Sequence, residues 1–475
     1  MGLYKHQSSQ IFVDMKRNIA IFLFACLAHF VNAQTLIKPT PQQIAWQARE
    51  TSAFLHFTVN TFTDKEWGDG TESEKIFNPT EFNATKIVQT LKKTGFKLAI
   101  ITAKHHDGFC LWHTKLTKHS VENSPFKRDV VREISDACKK EGLKFGVYLS
   151  PWDRHEKKYG TPGYNDFYKA QLTELLTNYG EISEVWFDGA KGDNTKMKYD
   201  FEGYWALVRK LQPKAVMFSD VGPDVRWVGN ESGNAGETCW STINITHNSI
   251  IKNGDSALIG KAIAPGIADE KYLNLGDKNG TLWIPAETDV SIRKGWFYHS
   301  SENATVKSGK ALVDLYYKSV GRNSLLLLNI PPNKKGLFDE RDVASLTEFR
   351  SILDETFKKN LLENEVLTPL ADKKIETYVE LNLGASFIID FKKLITFDRF
   401  MLQENITQGQ SIENGALEYW QNNDWQTLQD FTTVGYKRLM RFNAVTTTKI
   451  RLTILKAKSK ILLSEIGCYK ASSRE

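Results

Sequence analysis

The chain has 475 residues, 41% hydrophobic and 12% aromatic, with 62 Lys+Arg against 56 Asp+Glu for a net charge of +6. This composition excludes disordered, collagen-like and coiled-coil classes, and the length predicts two or three folded units. The charge is spread along the chain without the Lys/Arg clusters that a nucleic acid or lipid surface demands, so neither partner is expected.

Residues 1–33 read as a removable leader. Lys16-Arg17 precede an apolar run from Ile19 to Val31, and Val31 and Ala33 place small residues at the minus-three and minus-one positions before Gln34. That pattern predicts a secretory signal and a periplasmic or extracellular destination, and the run is too short to span a bilayer. A lipoprotein signal built on Leu23-Phe24-Ala25-Cys26 is the alternative, which bulky Phe24 disfavours. Loss of the leader removes three basic residues and one acidic residue, so +6 becomes +4. Cys110, Cys138, Cys239 and Cys468 then remain, without a CxxC pair, which argues against a zinc site or a disulfide scaffold and leaves a single disulfide open.

From about Ala53 to Asn329 short apolar strands alternate with amphipathic helices. Strands are predicted at Ala53 to Val59, Lys97 to Thr102, Lys144 to Ser150, Ile182 to Asp188, Ala215 to Asp220 and Ser324 to Ile330. Helices are predicted at Asn83 to Thr94, Arg128 to Glu141, Asp166 to Tyr179, Phe201 to Leu211, Val306 to Ser319 and Glu340 to Lys358. Repeating βα units over this length predict a TIM-like (β/α)₈ barrel; a doubly wound sheet is the alternative, but no Gly-rich phosphate loop follows the first strand. Beyond Asp372 the texture changes to alternating segments without helices, at Tyr378 to Leu383, Ser386 to Phe391, Arg399 to Gln403, Ala416 to Gln421, Lys449 to Leu455 and Ile461 to Tyr469, which predicts a β-sandwich. The expected organisation is a leader at 1–33, a barrel at 34–358 and a sandwich at 359–475.

Barrel strands deliver side chains from their C-terminal ends to one pocket. Here those ends carry His56 with Glu66-Trp67, then Lys104-His105-His106-Asp107, then Tyr148 with Trp152 and Asp153, then Asp188. A strand-terminal Asp can simply cap the next helix. Asp188, however, closes the apolar run Val185-Trp186-Phe187, a setting that suits a partly dry nucleophile, and glycoside hydrolysis needs a second carboxyl nearby. Glu231 in RWVGNESGNAGETCW is the preferred partner and Glu237 its competitor, with Arg226 placed to hold a carboxylate or a sugar hydroxyl. Consecutive His residues on a regular strand face opposite sides and cannot share one ion unless the strand has already turned, and no HxH follows the first strand, so no metal or other cofactor is expected. Lys104 and the His side chains are read instead as partners for ligand hydroxyls. Of Trp67, Trp112, Trp152, Trp227, Trp283 and Trp296, about half are expected in the core and the rest against an apolar sugar face.

Taken in order, LHFTVNTFTDKEWGDG, AKHHDGFCLW, FGVYLSPWDRH, EVWFDGA, VRWVGNESG, PAETDVSIRKGWFYH and SLLLLNIPPNKKG resemble the catalytic barrel of the α-L-fucosidases of glycoside hydrolase family 29, over about residues 35–355. The GNESG loop followed by TCWST resembles the subgroup selective for α-1,3/1,4-linked fucose on branched, Lewis-type glycans. The resemblance implies retention of anomeric configuration without a metal, with Asp188 as nucleophile and Glu231 as general acid/base. It implies a fucose pocket lined by His56, Glu66, Trp67, His105, His106, Tyr148, Arg226 and Trp296. Segments SFIIDFKKLITFDRFML, ALEYWQNNDWQTL and KIRLTI are similar to discoidin-like sandwiches, for which sugar binding and buttressing of the barrel are equally compatible roles. The competing expectations are a broad-specificity α-L-fucosidase and, less favoured, a fucose-binding protein without catalysis.

Overall fold

The computed structural model describes residues 36–192, 196–244, 270–362 and 368–475; the expected leader lies outside them. Eight parallel strands close into a barrel: β1 (Thr51–Leu55), β2 (Leu98–Lys104), β3 (Lys144–Leu149), β4 (Glu184–Trp186), β5 (Val216–Ser219), β6 (Val225–Trp227), β7 (Ala286–Ser291) and β8 (Leu325–Asn329). Each pairs with its chain neighbour, and β8 pairs with β1, Thr51 opposite Leu326. The last strand shows why such staves read as unbroken apolar runs. Leu325 and Leu327 face the barrel interior with Phe54, Ile100 and Phe218, whereas Leu326 and Leu328 face the surrounding helices, so both faces are buried.

The helices follow from capping and periodicity. In α1 (Val130–Glu141) the Asp129 carboxylate accepts from the Arg132 N–H, and Val130, Ile134, Ala137 and Cys138 fall on the buried face. Gly142, at φ 73°, ends it in the left-handed conformation that favours glycine.

Two barrel strands, β6 and β7, were not among the predicted ones. β6 has only three residues, and β7 reads Ala-Glu-Thr-Asp-Val-Ser, polar at every second position, because Glu287 and Asp289 face the barrel interior. The chain that continues from β1 also turns earlier than expected, into a short helix over Val59–Thr63.

The C-terminal strands β9 (Val379–Leu381), β10 (Ser386–Glu404), β11 (Ile412–Gln421), β12 (Asp424–Phe431), β13 (Arg438–Ala457) and β14 (Ile461–Tyr469) form one antiparallel sheet in the order β9-β14-β10-β13-β11-β12. The segments predicted as separate strands at Ser386 to Phe391 and Arg399 to Gln403 both lie in β10. Register shifts at Asp390/Ile395 and Phe397/Arg399 let this long strand bend. Its inward side chains change parity there, from Phe391 and Phe397 to Phe400 and Leu402, yet all join one buried cluster with Leu417, Ile450, Leu463 and Ile466. A flat sheet would leave that face wet, so the sheet folds over its own apolar side, as a sandwich requires. From the other face Met401, Leu439 and Tyr469 enter the core of the barrel helices.

The contact between the two units reaches the segment that follows Glu231. Thr433 Oγ1 accepts from the Cys239 N–H at 2.8 Å, Gln410 Oε1 accepts from the Ser241 N–H at 2.8 Å, and Arg438 pairs with Glu237 at 2.8 Å. The C-terminal unit therefore buttresses this part of the barrel. Cys110, Cys138, Cys239 and Cys468 are buried and free. Among the described residues no helix is long and apolar enough to cross a membrane.

Candidate active site

The C-terminal ends of β1, β2 and β3 bring together three imidazoles and a phenol. β2 stops at Lys104 and the chain turns at once, so His105 and His106 no longer alternate; their rings lie on the same side, 4.0 Å apart. His105 is stacked with Tyr148 at 16° and lies 5.5 Å from His56, which is 5.2 Å from Trp296. His56 is anchored through Nδ1 to Asn329 Oδ1 at 2.8 Å, and His106 through Nδ1 to Ser150 Oγ at 2.7 Å. Burial holds all three below the ordinary histidine range, His56 at about 3 with only partial opposition from Asn329. They are therefore neutral hydrogen-bonding groups at neutral pH.

Asp188 stands two residues beyond the end of β4. Its Oδ2 accepts from the Tyr148 hydroxyl at 2.7 Å and lies 3.9 Å from His106 Nε2, while Oδ1 accepts from the Ala190 N–H at 2.7 Å. Burial, and then the Asp188 charge, pushes the Tyr148 hydroxyl well above its usual range, which keeps it a donor.

Glu231 stands on the loop after β6. Gly229 and Gly233 flank it with φ of 89° and 78°, and a Cβ at Gly229 would lie 2.5 Å from the Glu270 carbonyl oxygen, so the loop can take this path only with glycine there. Asn230 closes the loop on itself, its Nδ2 donating to the Asn234 carbonyl at 2.9 Å. The Trp296 indole donates to Glu231 Oε2 at 3.3 Å. Partial withdrawal from water raises the Glu231 carboxyl above its ordinary value; the Trp296 bond opposes this, and the charges of Asp188 and Glu66 add to it. A third carboxyl, Asp289 on β7, was not singled out in the sequence. It is buried, accepts from the Trp227 indole at 2.8 Å, and is pushed well up by burial, with Glu231 and Asp188 adding to the effect. The strand-like alternation of Glu287, Asp289 and Ser291 was the available signal.

Glu66 reaches the site through Trp296. Its carboxylate accepts from the backbone N–H groups of Trp296 and Phe297, and His299 Nε2 lies 2.9 Å away. Trp67 is 56% exposed and forms an edge contact with Trp152 at the rim. Trp112 and Trp283 are core residues.

Arg226 is a correction to the expected pocket. It lies on β6 between inward-facing Val225 and Trp227, so it points out of the barrel, fully buried, and its guanidinium donates to the backbone carbonyls of Leu273, Ile284 and Trp240. Lys104 is also turned away from the pocket, paired with Asp153 at 2.8 Å and donating to Gln171 at 2.9 Å. Asp107 accepts from Thr58 and from the Phe109 N–H beneath the rim. Glu237 is held by Arg322 and Arg438, which removes it as a competitor of Glu231.

The alpha-L-fucosidase family model matches residues 29–355 of the chain. Alpha-L-fucosidase 1 of Arabidopsis thaliana is 43% identical over 495 aligned positions, covering 96% of this chain and 94% of that protein. Among solved structures, a glycoside hydrolase 29 family member from an unknown rumen bacterium superposes with a TM-score of 0.81 at 40% identity, covering 92% of this chain and 78% of that one. The Ruminococcus gnavus GH29 fucosidase in complex with fucose has a TM-score of 0.81 at 34% identity, with 92% and 96% covered.

Proposed function

Since this chain belongs to the alpha-L-fucosidase family, we propose that it is an exported, retaining enzyme that removes α-1,3/1,4-linked L-fucose from branched glycans. Asp188 attacks the anomeric carbon as the glycosidic bond breaks, and Glu231 delivers its proton to the leaving oxygen, forming a covalent fucosyl-enzyme. Esterification then removes the Asp188 charge. With that negative neighbour gone Glu231 becomes more acidic, and it takes a proton from the water that releases fucose.

The observation that carries this reading is the unequal treatment of the two carboxyls. Asp188 accepts two hydrogen bonds, from a phenol and a backbone N–H, which fix the orientation of its carboxylate. Glu231, on the loop facing it, is raised and thereby kept protonated further up the pH scale. Neutral His56, His105 and His106 fit a substrate that is uncharged at the bond being cut, and Trp67 and Trp296 offer rings to its apolar face.

The linkage preference rests on the GNESG loop and is tested by comparing a Lewis-type trisaccharide, a 2'-fucosylated lactose and an aryl fucoside. Faster release from the Lewis-type substrate is expected, whereas equal or faster cleavage of the other two would establish a broad-specificity fucosidase. Export rests on the leader pattern. N-terminal sequencing of the mature protein should begin at Gln34, and an uncleaved leader would contradict it.

A further inference from the structure

The loops after β1 and β7 meet at His299. Its Nδ1 lies 2.9 Å from Asp64 Oδ1 and its Nε2 lies 2.9 Å from Glu66 Oε2. A neutral imidazole carries a single N–H, so one of these contacts would set a ring lone pair against carboxylate lone pairs. Two carboxylates at hydrogen-bond distance, one on each ring nitrogen, are satisfied together when both nitrogens carry protons. The second carboxylate leads onward. Glu66 accepts from the backbone of Trp296 and Phe297, and the Trp296 indole donates to Glu231. Gly295 lets the loops approach, since a Cβ there would lie 2.6 Å from Glu66 Oε2 and 3.2 Å from the His299 ring.

Building on the functional reading above, we infer that His299 is a positioning residue, an imidazolium clasp that holds Glu66 and thereby orients Trp296 against both the sugar and Glu231. The charged groups facing the ring are Asp64 and Glu66 from the first loop and Glu302 from the turn Ser300–Thr305. All three are acidic; the cation beside them, Arg293, meets the backbone carbonyl of His299 at 3.5 Å and is itself paired with Asp342. Despite the cost of burial, hydrogen bonds to Glu66 and Asp64 and the neighbouring negative charges raise His299 above its ordinary value. The sign is therefore set: the clasp is complete below the usual histidine range and opens as pH rises through the raised value.

The test measures L-fucose binding by calorimetry in Glu231→Gln, which removes the titration of Glu231 while Gln still accepts from Trp296. The dissociation constant should be flat near about pH 6 and rise about five- to tenfold towards about pH 9. In Glu231→Gln/His299→Gln it should be weak and flat over the same range. A second variant guards against misfolding. Asp64 is exposed and left-handed at φ 59°, which Asn tolerates, so Glu231→Gln/Asp64→Asn should fold and shift the loss of affinity to lower pH by removing one anion from the clasp. A flat profile in Glu231→Gln, a profile unmoved by Asp64→Asn, or the same rise persisting without His299 overturns the clasp while leaving the fucosidase reading intact. Failure to bind fucose at every pH overturns both.

Discussion

Asp188→Ala is expected to lower kcat on an aryl fucoside by about four orders of magnitude while the protein stays folded. The loss should be large because the proposed covalent step has no substitute: the barrel interior offers other carboxyls, but they are committed elsewhere. Glu184 is bound by Arg49 and Trp46, Glu287 by Trp186, and Asp289 by Trp227. The structural cost is small by comparison. Asp188 is partly exposed and makes two hydrogen bonds, so its removal strands the Tyr148 hydroxyl and the Ala190 N–H without opening a hydrophobic void. Steady-state kinetics together with a thermal melt separates the two effects. Activity within tenfold of wild type would remove Asp188 from the chemistry.

The second large effect is expected at Glu231. Glu231→Ala should reduce hydrolysis of a Lewis-type trisaccharide, whose leaving hydroxyl needs a proton, by about 10²- to 10⁴-fold. An aryl fucoside with an acidic phenol should react in the first step far less impaired and then accumulate as fucosyl-enzyme, giving a burst followed by a slow steady state. The pH profile gives an independent reading. As a raised acid, Glu231 is protonated and active as a donor below its shifted value, and kcat/KM falls as pH rises through it, above the ordinary Glu range of about 4.3. That alkaline limb should move or vanish in Glu231→Ala. Equal losses on both substrates with an unchanged profile would assign the proton to another group.

Much of this was legible because the strongest signals were local. The run Val185-Trp186-Phe187 ending in Asp188 shows a buried strand meeting a polar rim, and the leucines of β8 show a stave buried on both faces. Where residue alternation was not carried through, the reading failed. Arg226 was placed in the pocket from its sequence neighbours, yet on a strand whose Val225 and Trp227 point inward it must point outward. For His105 and His106 alternation does not apply, because β2 ends before them, and both rings reach the pocket that the resemblance implies. β7 escapes a search for apolar runs because its inward side chains are carboxyls rather than aliphatics, and Asp289 escapes with it. The clasp at His299 joins residues more than 230 positions apart, a distance that no spacing rule spans. In the C-terminal unit the break at Lys392, with φ 53°, looks like the end of a strand, although pairing resumes beyond it at Ile395.

A retaining α-L-fucosidase with Asp188 as its nucleophile passes through a covalent fucosyl ester on that residue. Incubation with a 2-deoxy-2-fluoro fucosyl fluoride, which slows breakdown of a glycosyl-enzyme, followed by peptide mass spectrometry tests it most directly. One fluorofucosyl adduct is expected, carried by the peptide containing Asp188 and located on that residue. An adduct on Glu231 or Asp289, or an unlabelled enzyme whose first-formed product has inverted anomeric configuration, would contradict it.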